Sequence, residues 1–335
     1  MKKKLLSVLM AAVMVAGVGG VGAAQVKADD EKILGAGIYS ASDNFNSYIG
    51  KAITNACDGI FKTNIEDGQN DQSTQNNQVD TMLAKGASAV AVSVCDVTAA
   101  PTLIQKCKDA GNVPIIFFNK EITDYDVINS YENAYQVTST GGDYGASIQA
   151  QMVIDYWKEH PEMDKNGDGK LQLVYLMGDP GHTASQPRCD YLKSTIEDAG
   201  IEIDLLAEDT GMWVTATAKE KMDAWVSKYG DEIECCVAGN DAMALGALSA
   251  VEAAGFNTDG EESSKYIPIY GIDALPEILS KIESGEITGS VLQDAKTQGQ
   301  TIVKMAENLT SGKDAVDGIE GVEVEEETKA VRVPY

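Results

Sequence analysis

One short segment has the spacing of oxygen ligands that a calcium ion requires. Residues 164–172 read Asp-Lys-Asn-Gly-Asp-Gly-Lys-Leu-Gln, the beginning of an EF-hand-type loop. Position 12, normally glutamate, is Tyr175 inside an apolar run, so the closing carboxylate must come from elsewhere. Glu234, which opens another apolar run, is our candidate, and a plain Asx-rich turn is the alternative. The predicted calcium ligands are Asp164, Asn166, Asp168, the Lys170 carbonyl, Gln172 and Glu234.

A second group of polar residues stands directly after apolar, strand-like runs. Carboxylates and side-chain amides offer paired acceptors and donors that match the hydroxyls of a sugar. Phe45 and Trp213 can cover the apolar faces of the same sugar. Helix capping is the alternative for any single one of these residues, but for the whole set we predict a ligand site. The set is Asp43, Asn44, Asp96, Asn119, Asp179, His182, Asn240, Asp241, Asp273, Gln293 and Asp294, with Arg188 interleaved.

The motifs that the sequence lacks, and its small number of histidines, favour a binding protein over an enzyme. The chain has no nucleophile elbow, Walker loop or dinucleotide-binding glycine motif, and its two histidines leave little for acid–base chemistry. Paired acids such as Asp43 and Asp273 keep a glycoside-processing enzyme as the rival from another class. Because 52 acidic residues face 26 basic ones, a net charge of −26, we exclude nucleic acid and anionic membrane surfaces as partners.

The segments that position these residues alternate between apolar strands and helices. Continuous apolar strands between helices are typical of parallel sheets covered on both faces. The chain is too long for one such sheet, so we predict an α/β fold of two doubly wound parallel-sheet lobes joined by a hinge. Ligands bind beyond the carboxyl ends of such strands, so the facing lobes should form one cleft. The predicted strands are 33–39, 89–94, 113–118, 171–177, 202–206, 234–238, 267–272 and 290–292.

The start of the chain has the features of an export signal. Three lysines precede an apolar run over residues 5–24, and Val21-Gly22-Ala23 fits a cleavage site. We predict that residues 1–23 are a signal peptide and that the protein is exported, to a periplasm or another extracytoplasmic space. No cysteine precedes Cys57, so no lipid-attachment cysteine is seen. The six cysteines are interpreted as buried free thiols, with a pairing such as Cys57 with Cys95 left open.

Ten segments in order along the chain carry a family resemblance: 38–45 (IYSASDNF), 68–80, 117–121 (FFNKE), 164–172, 178–182 (GDPGH), 212–213, 221–225, 240–244 (NDAMA), 271–277 (GIDALPE) and 331–335 (VRVPY). With them the chain resembles the periplasmic galactose/glucose-binding proteins of methyl-galactoside ABC transport systems, whose fold is the type I periplasmic binding protein fold. The resemblance implies structural calcium on the six ligands above and a monomer that delivers a monosaccharide to an ABC transporter permease. A chemoreceptor is a further candidate partner. The implied sugar contacts are Asp43, Phe45, Asn119, His182, Arg188, Trp213, Asn240 and Asp273, with Gln293 at a ninth position.

Two positions depart from the family pattern. Ala184 stands where the family has an aspartate that receives the anomeric hydroxyl, and Gln293 stands where it has a shorter asparagine. Losing a charge-assisted hydrogen bond costs about 1.5–3 kcal/mol. We therefore hypothesise weaker binding of free hexose, or tolerance of a substituent as in a methyl galactoside or a disaccharide. Ribose or xylose is the runner-up ligand.

The same analysis sets the expected lobe boundaries. We assign residues 30–139 plus 294–324 to the N-terminal lobe, and residues 140–293 plus 325–335 to the C-terminal lobe. Crossings between the lobes are expected at 138–141, at 292–294 and at the last strand. In an empty cleft, Arg188 and Asp273 are expected to pair.

Overall fold

A computed structural model describes residues 32–139, 141–261 and 263–335 of the chain. The predicted signal peptide, residues 1–23, lies outside the described residues. Within those residues, no helix is both long and apolar enough to cross a bilayer.

The described chain contains two parallel sheets. The strands are β1 (Ile33–Ile38), β2 (Lys62–Asp67), β3 (Ala89–Val92), β4 (Ile115–Phe118), β5 (Ala134–Ser139), β6 (Lys170–Met177), β7 (Glu202–Thr210), β8 (Cys235–Ala238), β9 (Ile269–Asp273), β10 (Gly289–Leu292) and β11 (Ala330–Val333). The first sheet has the order β11-β5-β4-β3-β1-β2, and the second has the order β10-β9-β8-β6-β7. In each sheet the strands are added first to one side and then to the other, and the change of side falls between β1 and β3 and between β6 and β8. This is the doubly wound arrangement that the sequence predicted.

Helices separate the strands and cover both faces of each sheet. They are α1 (Asn44–Ala56), α2 (Gln72–Ala84), α3 (Ala100–Asp109), α4 (Tyr125–Asn129), α5 (Gly142–Glu159), α6 (Ser185–Asp198), α7 (Thr215–Tyr229), α8 (Asp241–Ala253), α9 (Pro276–Glu283) and α10 (Ala295–Thr310). The strands alternate between two cores: Ala89 and Ala91 of β3 pack with α1 and α10, whereas Val90 and Val92 pack with α2 and α3. This two-sided burial explains why the strands are continuously apolar.

The last strand lies in a different lobe from the one predicted. β11 pairs with β5 from Ala330 opposite Gln136 to Val333 opposite Ser139, so it extends the first sheet. Tyr335, two residues after β11, contacts Gly145 and Arg188 of the second lobe, near the crossing expected at the last strand. The assignment of residues 325–335 to the C-terminal lobe is nevertheless wrong for β11 itself. The physical reason is that β5 has an open edge whose backbone groups β11 satisfies.

In the described residues, the chain passes between the lobes from β5 to α5 and from β10 to α10. These two passages touch each other. The Ser139 hydroxyl accepts hydrogen bonds from Gln293 Nε2 (2.7 Å) and Gln298 Nε2 (2.8 Å), and all three side chains are buried. A single hydroxyl therefore joins both connections of the hinge.

All six cysteines are free thiols in the structure, and five of them are buried. Burial raises the pKa of Cys57 to about 11 and that of Cys107 to about 12. Cys57 and Cys95 do not pair, which closes the alternative left open by the sequence.

Candidate ligand-binding cleft

One cavity between the two lobes collects all of the predicted sugar-site residues. Together with the part that opens to solvent, its space is about 260 Å³. The first lobe contributes three residues, the second lobe five, and the second passage between the lobes one. In that order they are Asp43, Phe45 and Asn119; His182, Arg188, Trp213, Asn240 and Asp273; and Gln293.

Capping accounts for several of the other strand-end residues. Asp96 accepts from Thr98 N at 2.9 Å, and Asp294 accepts from Thr297 N at 2.9 Å, so both begin helices away from this cavity. Asp43 caps α1 and Asn240 caps α8 while also lining the cavity. Capping and ligand binding are compatible here, because the caps use Oδ1 and leave Oδ2 of Asp43 and the amide nitrogen of Asn240 outside the cap.

The backbone is strained where it turns side chains toward the cavity. Among ten non-glycine residues with positive φ in the described chain, five lie at or beside this site: Asn119 (φ 66°), Met212 (56°), Trp213 (63°), Asp273 (133°) and Ala274 (52°). Left-handed backbone in residues other than glycine costs free energy and concentrates at functional sites. The concentration here supports a ligand-binding role.

Trp213 is held in place by glycines. A Cβ on Gly178 would lie 2.0 Å from the indole ring, and a Cβ on Gly239 would lie 3.1 Å from it. His182 meets the same ring edge-on, with centroids 5.4 Å apart. Phe45 and Trp213, which we predicted to cover a sugar's two faces, line the same cavity and are each about 5% exposed.

Three polar atoms at the cavity are buried without a partner: Arg188 Nε, Trp213 Nε1 and Asp273 Oδ2. Two are donors and one is an acceptor. Leaving such a group unsatisfied costs about 1–3 kcal/mol, so buried polar atoms normally find partners. Their grouping in one cavity indicates a ligand that carries both donors and acceptors.

Arg188 is fixed by groups other than its predicted partner. Its Nη1 donates to Gly239 O at 2.6 Å, and its Nη2 donates to Gln293 Oε1 at 2.8 Å and to the Tyr335 hydroxyl at 2.9 Å. In the closed cleft of the described chain it makes no ion pair with Asp273, and the pairing predicted for an empty cleft stays a prediction. Since both ends of the Gln293 amide are bonded to protein, Gln293 forms the cavity wall and orients Arg188.

The carboxylates at the site are hard to ionise in this environment. Burial raises the pKa of Asp43, whose Oδ2 accepts from the Tyr39 hydroxyl and whose Oδ1 accepts from Asn46 N at 2.8 Å. Burial, together with the neighbouring Asp241 carboxylate, raises the pKa of Asp273 well above its usual range. The two residues come from opposite lobes, and the charge of Asp43 adds to the rise in the pKa of Asp273.

His182 is uncharged at this site. Burial lowers its pKa well below 6.5, and the charges of Lys120 and Arg188 act in the same direction. Ala184 N donates to His182 Nδ1 at 3.1 Å, so the proton of the neutral ring is on Nε2. His182 is therefore a hydrogen-bond donor through Nε2.

The lobes also touch at the rim of the cleft. The hydroxyl of Tyr48 on α1 donates to Glu277 of α9, with O–O distances of 2.9 and 3.1 Å. Leu275, from the second lobe, packs into the hydrophobic cluster of the first lobe that includes Phe45. The cleft is therefore closed over the cavity.

The predicted calcium loop lies at the other end of the second lobe, where β6 and β8 begin. Asp164 accepts from Asp168 N (3.1 Å) and Gly169 N (2.9 Å), which curls the loop around its side-chain oxygens. Glu234 accepts from Lys165 N at 2.6 Å and Gln172 N at 3.0 Å, so its carboxylate joins the two ends of the loop.

One of the oxygens predicted to bind calcium has no hydrogen-bond partner in the protein. Gln172 Oε1 is buried and unpaired, although its amide nitrogen bonds Asp168 at 3.0 Å. In the part of the chain that the structure describes, no three Asp, Glu, His or Cys side chains come close enough to hold a metal by themselves. The residues present fit a calcium ion through a mixed set of carboxylate, amide and carbonyl oxygens.

Known proteins resemble this chain over most of its length. The sequence model of the periplasmic binding protein domain matches residues 36–314. The chain belongs to the periplasmic binding protein family. The D-galactose/methyl-galactoside binding periplasmic protein MglB of Haemophilus influenzae is 42% identical over 305 residues, which cover 90% of this chain and 88% of that protein. The xylitol-binding protein of Mycolicibacterium smegmatis is 27% identical, covering 85% and 74%.

Solved structures agree with this family membership. An ABC transporter solute binding protein from Bacillus halodurans with bound myo-inositol matches with a TM-score of 0.71 and 27% identity, over 91% of this chain and 93% of that one. These relatives are binding proteins for small polyhydroxylated molecules, and family membership places this chain among binding proteins rather than enzymes. The family resemblance seen in the sequence is confirmed.

Several residues of the site were missed by sequence reasoning. Lys120 is buried, donates to Cys95 O at 2.9 Å and lies 4.0 Å from the centre of the Tyr39 ring. It is the cation that faces the buried Asp43. Its position directly after Asn119, within the quoted segment 117–121, was the available signal. Tyr335 reaches Arg188 only because β11 joins the first sheet, and no local pattern shows that.

Proposed function

We propose that this periplasmic binding protein captures a hexose, either galactose, glucose or a methyl galactoside, and delivers it to an ABC transporter. The observation that carries the proposal is the set of three unpaired buried polar atoms that share one cavity between the lobes with Phe45 and Trp213. The 42% identity to a protein that binds D-galactose and methyl galactoside supports the choice of sugar.

Each group has a defined task in this proposal. Asp43 and Asp273 accept hydrogen bonds from sugar hydroxyls, and Arg188 Nε donates to a sugar oxygen. Asn119, His182 Nε2 and the Asn240 amide supply further contacts in the ring plane. The two aromatic rings cover the faces of C–H groups.

Ligand binding is coupled to closure by the charges at the cleft. Asp43 and Asp273 belong to different lobes, so closing an empty cleft brings two buried carboxylates toward each other. Sugar hydroxyls that donate to both carboxylates offset this repulsion and the cost of burial. Closure then presents both lobes in the arrangement that the permease recognises, and a chemoreceptor is a further candidate partner. We expect the protein to act as a monomer.

Isothermal titration calorimetry tests the proposal. The panel contains D-galactose, D-glucose, their β-methyl glycosides, D-ribose, D-xylose and myo-inositol, with Trp213 fluorescence as a second signal. We expect a hexose or its methyl glycoside to bind most tightly and to change the fluorescence. A folded protein that binds none of these sugars would refute the proposal. A strong preference for free hexoses over their methyl glycosides would refute the hypothesis based on Ala184.

We also propose export through a signal peptide over residues 1–23. The basic start, the apolar run and the small-residue cleavage site support it. N-terminal sequencing of the protein recovered from outside the cytoplasm should begin after Ala23 or a few residues later. Recovery of the uncleaved chain in the cytoplasm would contradict this.

We propose further that the loop over 164–172 holds a structural calcium ion. Asp164, Asn166, Asp168, the Lys170 carbonyl and Gln172 would bind it, with Glu234 as the closing carboxylate. The unpaired Gln172 Oε1 and the position of Glu234 across both loop ends support this. When bound, calcium would neutralise the carboxylates that the loop gathers.

Thermal unfolding with calcium or with a chelator tests the ion. If calcium is present at about 100 times its dissociation constant, it stabilises by about 2.7 kcal/mol, or roughly 5–10 °C in Tm. Glu234→Gln should lose most of that shift. Glu202→Gln is the matched control, because Glu202 pairs with Lys170 at the surface outside the donor set. An equal Tm with calcium and with chelator would refute the site.

A further inference from the structure

A second cavity adjoins the one between the lobes. It encloses about 830 Å³ of space that opens to solvent, and we call it the outer cavity. It shares Asn119, His182 and Gln293 with the inner cavity described above. Any group that extends from a ligand past these three side chains enters the outer cavity.

Small residues form the part of the outer cavity nearest to His182. Ala184 contributes only a methyl group, and a Cβ added to Gly142 would lie 3.2 Å from the Ala184 Cα. The starts of α5 and α6 therefore approach each other closely without a large side chain between them. The Ala184 amide is already bonded to His182 Nδ1, and the Asp143 carboxylate, next to Gly142 in sequence, also lines the cavity.

The lining farther out has the chemistry of a carbohydrate subsite. Tyr125, Tyr191 and Tyr335 contribute aromatic surface, and Tyr191 is 49% exposed. The Glu121 carboxylate also lines the cavity, and its charge is compensated by Arg332 at 2.5 Å. Aromatic surface and hydroxyl groups favour a polyhydroxylated ring over an alkyl chain, and the carboxylates of Glu121 and Asp143 disfavour an anion.

We propose that the cleft binds a disaccharide, with its terminal hexose in the inner cavity and its second ring in the outer cavity. The glycosidic bond passes Ala184, and Tyr191 packs against the second ring. This inference rests on the proposed function, since it extends the same site. It extends the expected substrates from hexoses and methyl galactosides to disaccharides.

Calorimetry with three ligands tests the inference: methyl β-D-galactoside, lactose and melibiose. The wild-type protein should bind at least one disaccharide as tightly as it binds the methyl galactoside. Tyr191→Ala should weaken that disaccharide by about 2- to 10-fold and leave methyl galactoside unchanged, because only the second ring contacts Tyr191. Tyr144→Ala is the matched control, since Tyr144 is 51% exposed on neighbouring α5 but does not line the outer cavity.

A second variant tests the connection between the inner and outer cavities beside Ala184. Ala184→Leu fills the space beside His182 and should weaken the disaccharide by more than about tenfold while methyl galactoside still binds. If methyl galactoside binds and neither disaccharide does, the inference fails and the proposed function stands. Disaccharide binding that neither variant weakens would also overturn it. If no sugar binds to the folded protein, the proposed function itself fails.

Discussion

Gly178 is the residue whose substitution tests the architecture of the cleft most directly. Gly178→Ala adds one methyl group, whose carbon would lie 2.0–2.2 Å from three atoms of the Trp213 ring. Carbon atoms in contact are normally about 3.5–4.0 Å apart, so the ring must move by roughly 1.5–2 Å. Trp213 cannot retreat freely, because it is 95% buried and packs near Gly239.

The displacement has two measurable consequences. Overpacking of this kind costs about 1–3 kcal/mol of stability, which lowers Tm by roughly 2–10 °C. A gap of about 0.5–1 Å between two surfaces already removes a quarter to a half of their dispersion energy. Moving the Trp213 ring by roughly 1.5–2 Å therefore removes most of its stacking energy on a sugar. We therefore expect galactose to bind at least about tenfold more weakly.

The assay is calorimetry with D-galactose together with thermal unfolding, performed on Gly178→Ala and on a matched control. Gly181→Ala changes the same turn, but its Cβ would meet only the Asp179 carboxylate at 3.3 Å. The control should keep both affinity and Tm. If Gly178→Ala binds galactose like the wild type, the Trp213 ring does not lie against Gly178 and the reasoning is refuted.

Three further predictions concern hydrogen bonds and charge. Tyr48→Phe removes the contact with Glu277 across the rim and should weaken galactose by about 2- to 10-fold in calorimetry; unchanged affinity would show that the contact does not favour closure. Asp273→Asn should weaken galactose by roughly 10- to 150-fold, since it replaces a charged acceptor; a smaller loss would place the sugar elsewhere. Burial raises the pKa of Asp241 from 3.8 to about 6, so the free energy of unfolding should fall as pH rises from 4 to 6. The free energy of unfolding is measured in urea at pH 4 and at pH 7. Between these two values it should fall by about 3 kcal/mol less in Asp241→Asn than in the wild type. An equal fall in both proteins would contradict the raised pKa of Asp241.

Strands buried on both faces were predictable because burial forces every residue to be apolar. β3 and β4 are examples, with all of their residues buried. β2 and β5 were missed for two different reasons. β2 is a half-exposed edge strand that reads Lys-Thr-Asn-Ile-Glu-Asp, and β5 contains Gln136, whose buried amide bonds the backbone of Thr328 at 2.8 Å.

The candidate site also divides into features that the sequence predicts and features that it does not. Residues directly after strands could be listed from the sequence, since parallel strands bring their carboxyl ends to one edge. The partners of those residues could not be listed. In the closed cleft Arg188 bonds Gly239, Gln293 and Tyr335, each distant in sequence.

The sequence by itself determined the two-lobed parallel fold, because alternation of apolar runs and polar strand ends is a local property. The family, and with it the nine residues that line the inner cavity, followed from the resemblance of ten short segments. Only the tertiary structure decided which sheet β11 joins and that a second cavity lies beside Ala184. Both depend on edges and surfaces that become neighbours after the chain has folded, and no spacing along the chain records them.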